Sequence, residues 1–119
     1  MVQSFRDLVV WQKSMNLSIV IYTLTKAFPR DERYGLTNQI RRASVSLPSN
    51  IAEGHGRLGT NEYRQFLGVA RASNFELQTQ LELARRLEYG DTKLIDDAEN
   101  LSHEVGKMIY AILQSIKTP

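Results

Sequence analysis

Residues 36–57 read LTNQIRRASVSLPSNIAEGHGR, and apolar side chains recur through this stretch at every third or fourth position. The residues that share this spacing are Leu36, Ile40, Ala43, Leu47 and Ile51. Because an α-helix turns once in about 3.6 residues, the spacing places all of them on one face. Pro48 removes a backbone donor, yet the apolar face keeps its phase on both sides of it. The stretch therefore predicts an amphipathic helix over about Tyr34–Glu53 that is kinked at Pro48.

Three other segments show helical spacing, and no segment alternates long enough to predict a strand. These helices are expected over about residues 8–27, 60–89 and 93–117. Asp7 and Thr60 are the predicted N-caps, and Gly90 is expected in the left-handed position after the third helix. Gly54, Gly56 and Gly59 are expected to form the loop after the second helix. Four long helices with short connections predict an all-α, antiparallel up-down-up-down four-helix bundle, with residues 1–119 as a single domain.

The first helix has an unusually wide apolar face. Its apolar residues form two stripes, Leu8, Trp11, Met15, Ile19 and Tyr22 in one and Leu17, Ile21, Leu24 and Phe28 in the other. One stripe is enough to face the core of a bundle. The presence of two stripes therefore predicts a contact in addition to the core, and we expect it to be made with another subunit.

Composition limits the classes of protein that this chain can belong to. A chain of 119 residues with 42% hydrophobic residues can bury a core of its own, and the absence of cysteine excludes disulfides and thiolate sites. Arg6, Asp7, Gln12 and Lys13 lie where a secretory signal would need an unbroken apolar stretch. Nowhere do 18 apolar residues follow one another. We expect a cytoplasmic protein that has no contact with membranes.

Charge is distributed unevenly along the chain. Residues 1–71 hold ten Lys and Arg against five Asp and Glu, whereas residues 72–119 hold five against eight. A basic half is typical of a nucleic-acid-binding surface, but basic and acidic halves can also attract each other between subunits. Both interpretations remain open on charge alone. The candidate residues for nucleic-acid binding are Arg41, Arg42, Arg57, Arg64 and Arg71.

Motifs of catalysis are weak in this sequence. Gly54–Gly59 matches the dinucleotide pattern G-x-G-x-x-G, but it follows a helix and no parallel sheet is predicted, so a helix-ending loop is the better interpretation. The two histidines, His55 and His103, do not complete a di-iron motif. With no Ser/His/Asp arrangement either, we expect no catalytic residues, no cofactor and no metal, and hence a protein that is not an enzyme.

A line of polar residues follows one face of the second helix, and the third helix carries a matching set. The residues are Gln39, Arg42, Ser46, Asn50 and Glu53, with Ser73, Glu76 and Gln80 on the third helix. The line is either a solvated face or a buried hydrogen-bond network. In a network, Arg42 would pair with Glu53 or Glu76, because an unpaired buried charge is costly. Ser46 or Asn50 is also expected to bond a carbonyl that Pro48 leaves without a donor.

The stretch QIRRASVSLPSNIAEGHGR, residues 39–57, is long and irregular enough to be a specific signature. It is accompanied by FRDLVVWQ at residues 5–12, YRQFL at residues 63–67 and ELQTQL at residues 76–81. With these motifs the chain resembles, over nearly its whole length, the four-helix bundle proteins first named for reading frames in intervening sequences of bacterial 23S ribosomal RNA genes.

The resemblance implies more about architecture than about chemistry. The family is similar to accessory proteins of diversity-generating retroelements, which form barrel-shaped homopentamers and bind nucleic acid and a reverse transcriptase. It therefore implies a pentamer that binds RNA or DNA, with a reverse transcriptase as a further partner where a retroelement lies beside the gene. We expect a non-enzymatic homo-oligomer in which arginines neutralise phosphates without reading sequence. The alternative is a protein-interaction scaffold with no nucleic-acid role, whose arginines form salt bridges between subunits.

Overall fold

The structure is a computed structural model and describes residues 4–116. It contains four α-helices, which we label α1 (Val9–Thr25), α2 (Leu36–His55), α3 (Thr60–Arg86) and α4 (Thr92–Ser115). Two short 3₁₀ helices, Phe5–Asp7 and Arg30–Glu32, precede α1 and α2. Each helix packs against the next one, and α1 also packs against α4. The predicted all-α class with four helices is confirmed.

The core lies between all four helices and consists mainly of leucine and isoleucine. The largest fully buried side chains are Leu17, Ile21, Leu24, Ile40, Leu47, Ile51, Leu67, Leu77, Leu81, Ile95, Val105 and Ile109. All five predicted apolar positions of α2 are buried. On α1 the stripe that contains Leu17 faces the core, whereas Ile19 of the other stripe is 62% exposed. The apolar spacing of these two helices thus predicted which side of α2 is buried and that α1 has a surplus.

Helix α2 continues through Pro48, which is itself buried. Proline has no N–H, so the carbonyl of Ser44 loses its usual partner within the helix. That carbonyl instead accepts a buried hydrogen bond of 2.6 Å from the Ser18 hydroxyl of α1. The prediction that Ser46 or Asn50 would supply this donor is wrong, because Asn50 Nδ2 donates to the Ser46 carbonyl at 2.8 Å. The compensating group comes from a different helix.

Several helix ends differ from the prediction because individual polar and packing contacts fix them. Asp7 is not an N-cap, since it ends the first 3₁₀ helix and α1 begins two residues later. Helix α2 begins at Leu36, whose N–H donates a hydrogen bond of 3.1 Å to Oε1 of Glu32. Gly54 belongs to α2 and not to the following loop. A Cβ at this position would lie 2.9 Å from Cβ of Phe66, so glycine allows α2 and α3 to approach closely here.

The ends of α3 also differ in detail. Thr60 is the first helical residue, and Gly59 occupies the N-cap position. At the other end the N–H of Tyr89 donates to the Ala84 carbonyl at 2.9 Å, as in a Schellman motif. The left-handed residue of this motif is Glu88, with φ 59°. Gly90 has the predicted positive φ of 76°, but it lies two residues after Glu88 and is not part of the motif.

The bond from Ser18 to Ser44 predicts a coupled effect on stability. Ser18→Ala leaves a buried carbonyl without a donor and should lower the free energy of unfolding by about 1–3 kcal/mol. In a Pro48→Ala background the restored N–H meets the same carbonyl, so Ser18→Ala should cost less than ~1 kcal/mol. Urea denaturation of the four proteins of this cycle measures the difference.

Thr23→Ala is the matched control. Thr23 is likewise a hydroxyl residue of α1, but it is exposed, and its hydroxyl donates to the Ile19 carbonyl within the same helix at 3.1 Å. Its effect should stay within about 0.5 kcal/mol. An equal cost of Ser18→Ala in both backgrounds would contradict the role assigned to Ser18.

The left-handed conformation of Glu88 gives a second prediction. A side chain at positive φ is strained where glycine is not, so Glu88→Gly should raise the free energy of unfolding by about 0.5–1 kcal/mol. Gly90→Ala should do the opposite, since its Cβ would lie 2.6 Å from Cδ1 of Leu24. Thermal or urea unfolding checks both variants, and a destabilised Glu88→Gly protein would refute the argument.

Candidate functional site

The polar line of α2 divides into two parts in the structure. In the inner part, the hydroxyls of Ser46 and Ser73 are 2.8 Å apart and Asn50 Nδ2 donates to Ser46 Oγ at 3.0 Å. Ser73 is buried, and Ser46 and Asn50 are half-buried. These three residues form hydrogen bonds between α2 and α3, as in the network alternative.

The outer part of the line faces solvent. Gln39, Arg42, Glu53 and Glu76 are exposed, and within residues 4–116 Arg42 forms no ion pair. The predicted pairing of Arg42 with Glu53 or Glu76 is therefore wrong for the single chain, because these side chains lie at the rim of the contact between α2 and α3. Arg42 and Glu76 instead line an open hollow of ≈ 350 Å³.

Gln80 ends the polar set on α3 and is buried. Its Nε2 donates to Glu76 Oε2 at 3.3 Å, while among the described residues its Oε1 has no hydrogen-bond partner. An amide oxygen in this position is costly unless it is bonded. Gln80 is thus the member of the predicted set that burial constrains most.

Two of the five candidate arginines donate hydrogen bonds to other described residues. Arg64 donates from Nη1 to the carbonyls of Leu113 and Ile116, at 2.7 and 3.0 Å, and so caps the end of α4. Arg41 donates from Nε to Thr25 Oγ1 at 2.7 Å. Its guanidinium also lies 4.7 Å from the centre of the Tyr22 ring. These contacts tie both residues to the fold.

The other three candidates lie at separate places on the surface. Arg42 is on α2, Arg57 is in the loop before α3, and Arg71 is on α3. Arg57 comes no closer to Glu62 than 4.0 Å, so that pair contributes little. The structure therefore does not gather the five arginines into one patch on a single chain.

Sequence reasoning missed a polar contact between α3 and α4. Asn74 donates from Nδ2 to the Ser102 carbonyl at 3.0 Å and accepts from the Ser102 hydroxyl at 2.7 Å. Gln78 Nε2 donates to the same hydroxyl at 2.9 Å. A Cβ at Gly106 would lie 3.2 Å from Asn74 Nδ2, so the glycine makes room for this amide. A glycine within a long helix was the signal that could have indicated it.

Above this contact an open groove of ≈ 600 Å³ runs between α3 and α4. We call it the α3/α4 groove. It is lined by Arg71, Asn74, Phe75, Gln78, His103, Gly106, Lys107 and Tyr110. Arg71 is the only candidate arginine among these residues.

A second surface lies on α1 and α2 and is apolar. We call it the α1/α2 face and define it by Trp11, Met15, Ile19, Tyr22 and Val45. All but Trp11 have more than a third of their surface exposed. Trp11, Met15, Ile19 and Tyr22 are four of the five residues of the stripe that begins at Leu8.

Half of the acidic residues in the C-terminal part of the chain form ion pairs within the chain. Arg85 pairs with Asp96 at 2.6 Å and also with Glu99, and Lys13 pairs with Glu104 at 2.6 Å. Arg86 pairs with Glu82 at 2.9 Å. Four of the eight acidic residues between positions 72 and 119 are thus engaged within the chain.

Shifted pKa values occur at structural contacts. Hydrogen bonds to Glu99 and then to Asp96 raise the pKa of Arg85. The bond from the Tyr89 hydroxyl to Glu32, at 3.0 Å, raises the pKa of that tyrosine. Burial raises the pKa of Tyr63. These three groups lie apart from the α3/α4 groove and stabilise the charge state that each already has at neutral pH.

Two further features of the structure concern metals and membranes. Among residues 4–116, no three His, Asp or Glu side chains come close enough together to hold a metal ion. Within the same range no helix is long and apolar enough to span a membrane.

Comparison with known proteins gives a consistent result. The family model of the 23S rRNA-intervening sequence protein matches residues 6–111. A solved structure of a protein of unknown function from the S23 ribosomal protein family of Bacteroides thetaiotaomicron is 26% identical, with a TM-score of 0.81. The match covers 88% of this chain and 98% of that one. No curated protein matches the sequence. The chain therefore belongs to the 23S rRNA-intervening sequence protein family.

Proposed function

We propose that this protein is a cytoplasmic, non-enzymatic homo-oligomer, pentameric as the resemblance implies, that binds RNA or DNA without reading its sequence. The proposal includes a reverse transcriptase as a partner where the gene lies beside a retroelement. Neither the family that matches nor the structural neighbour carries the name of an enzyme.

The observation that supports assembly is the α1/α2 face. Ile19 is 62% exposed, and Val45 and Tyr22 beside it are 45% and 42% exposed. Contiguous apolar surface of this kind on a soluble protein marks an interface more often than a solvated face. A closed ring of identical subunits would bury the face and bring arginines from several chains together.

Nucleic-acid binding by this protein requires arginines from several subunits to lie close together. The net charge of one chain is only +2, and its exposed arginines are dispersed. Phosphate binding strengthens with the number of cations that meet the backbone. A ring repeats Arg42, Arg57 and Arg71 once per subunit, which provides that number.

The scaffold alternative needs acidic groups that are available to a neighbouring subunit. Half of the acidic residues of the C-terminal part are already paired within the chain. Those ion pairs reduce the number of carboxylates that remain for the arginines of a neighbouring subunit, which favours a polyanionic partner.

Within each subunit we propose that the four helices run alternately up and down. Arg64 near the start of α3 bonds carbonyls at the end of α4, and Arg85 near the end of α3 pairs with Asp96 near the start of α4. These contacts support opposite directions for α3 and α4. A kink at Pro48 is part of the same proposal, supported by the hydrogen bond that proline removes.

The assembly predicts a particle mass. Light scattering should give about 68 kDa for five chains of 13.6 kDa each. Ile19→Glu places a charge in the interface and should lower the mass towards that of one chain. Leu58→Glu is the matched control, because Leu58 is fully exposed in the loop before α3, and its mass should not change. A wild-type mass of 13.6 kDa would refute assembly.

Nucleic-acid binding predicts a steep dependence on salt. Fluorescence anisotropy with labelled oligonucleotides should show affinity that falls with salt and varies little with sequence. Arg42→Gln and Arg57→Gln should each weaken binding and reduce the salt slope by about 1 for every phosphate that the variant no longer neutralises. Arg86→Gln, at an exposed arginine of the acidic half, serves as the control and should bind like wild type. Negligible binding by wild type at ~150 mM salt would favour the scaffold.

A further inference from the structure

The α3/α4 groove exposes two aromatic rings to solvent. Phe75 on α3 is 53% exposed and Tyr110 on α4 is 54% exposed. Both line the same groove, whose ≈ 600 Å³ lies within the range of small-molecule and cofactor sites. Neither ring is needed for the buried core, which the aliphatic residues fill.

The ionisable side chains that line the groove are basic, apart from the hydroxyl of Tyr110. Arg71 and Lys107 contribute a cation from each helix, and His103 adds a group that can become cationic. Among the described residues that line it, none is acidic. The hollow between α2 and α3 differs in this respect, because Glu76 there faces Arg42.

The base of the groove is held by hydrogen bonds between the two helices. The Asn74 amide bridges to Ser102, and Gln78 bonds the same serine. These bonds fix the spacing of α3 and α4 beneath the two rings. The guanidinium of Arg71 lies 5.4 Å from the centre of the Phe75 ring, so a cation and an aromatic ring adjoin at the edge of the groove.

We propose that the α3/α4 groove binds single-stranded nucleic acid, with unpaired bases stacked on Phe75 and Tyr110 and phosphates neutralised by Arg71 and Lys107. Every base has an aromatic face, so stacking of this kind tolerates any sequence. In a duplex those faces are covered by neighbouring base pairs, and the rings find nothing to stack on. The inference rests on the proposed function and assigns it a site and a substrate class.

A second copy of the chain fits the groove less well. The α1/α2 face, which is the apolar surface proposed for assembly, is flanked by Arg41 and Arg42 next to Tyr22 and Val45. Docking would place these cations near Arg71 and Lys107, and like charges that meet across an interface are costly. A polyanion with exposed aromatic bases complements both features of the groove.

The test compares a labelled 20-mer of deoxythymidine with a duplex of the same length by fluorescence anisotropy. Wild type should bind the single strand more tightly. Phe75→Leu and Tyr110→Leu should each weaken single-strand binding about 5- to 150-fold, with little effect on the duplex. Because both variants keep every charge, their salt slopes should equal that of wild type, whereas Arg71→Gln should reduce the slope.

Tyr34→Leu is the matched control. Tyr34 is 84% exposed, and the guanidinium of Arg33 lies 5.4 Å from its ring centre, so it repeats the pairing of Phe75 with Arg71 outside the groove. Its affinity for the single strand should equal that of wild type. Light scattering of the two groove variants should give the wild-type mass.

The possible failures are distinguishable. If wild type binds neither oligonucleotide, the proposed function fails and this inference fails with it. If wild type binds both equally and the leucine variants bind like wild type, the function stands and the groove is not the site. If the leucine variants bind less and also form a smaller particle, the groove is an interface between subunits, and the inference is overturned.

Discussion

The arrangement of α1 against α2 depends on an interior carbonyl that its own helix leaves without a donor. Pro48 lies in the middle of α2 and leaves the carbonyl of Ser44 without a donor in a place that water does not reach. Burying such a group costs more than an ordinary hydrogen bond gains. Ser18 removes the cost at a distance of 2.6 Å, but only when α1 lies in one register against α2. The proline thus affects the register of α1 against α2 as well as the hydrogen bonding within α2.

That register also determines which apolar residues of α1 remain outside. With Ser18 directed at α2, Leu17 and Ile21 are fully buried. Ile19, between them in sequence, is turned outward on the α1/α2 face. The polar bond inside the subunit and the buried apolar stripe thus require the same orientation of α1, which presents Ile19 at the surface. The interior and the proposed interface are coupled through the same turn of helix.

The sequence predicts the helices well and their ends poorly, for a physical reason. Apolar spacing depends on the helix itself, so the buried face of α2 could be predicted from residues 36–57 alone. Helix ends depend on individual polar contacts that apolar spacing does not show, such as the hydrogen bond from the Leu36 N–H to the Glu32 carboxylate. The same distinction applies to the site. Ser46 and Ser73 lie on the polar faces that the sequence predicted for α2 and α3. The contact of Asn74 with Ser102 depends on the register of α3 against α4, which helical spacing does not give. The sequence identified the candidate arginines, but it could not show which of them form hydrogen bonds within the fold, as Arg64 does at the end of α4.

The only tryptophan of the chain, Trp11, lies on the α1/α2 face and packs edge-on against Phe5 with ring centres 5.2 Å apart. It is half-buried in the single subunit. Its indole is therefore an intrinsic fluorophore at the surface where subunits are proposed to meet. The wavelength and quenching of its emission follow how much water reaches that surface, so the chain carries its own optical reporter of association and needs no added dye.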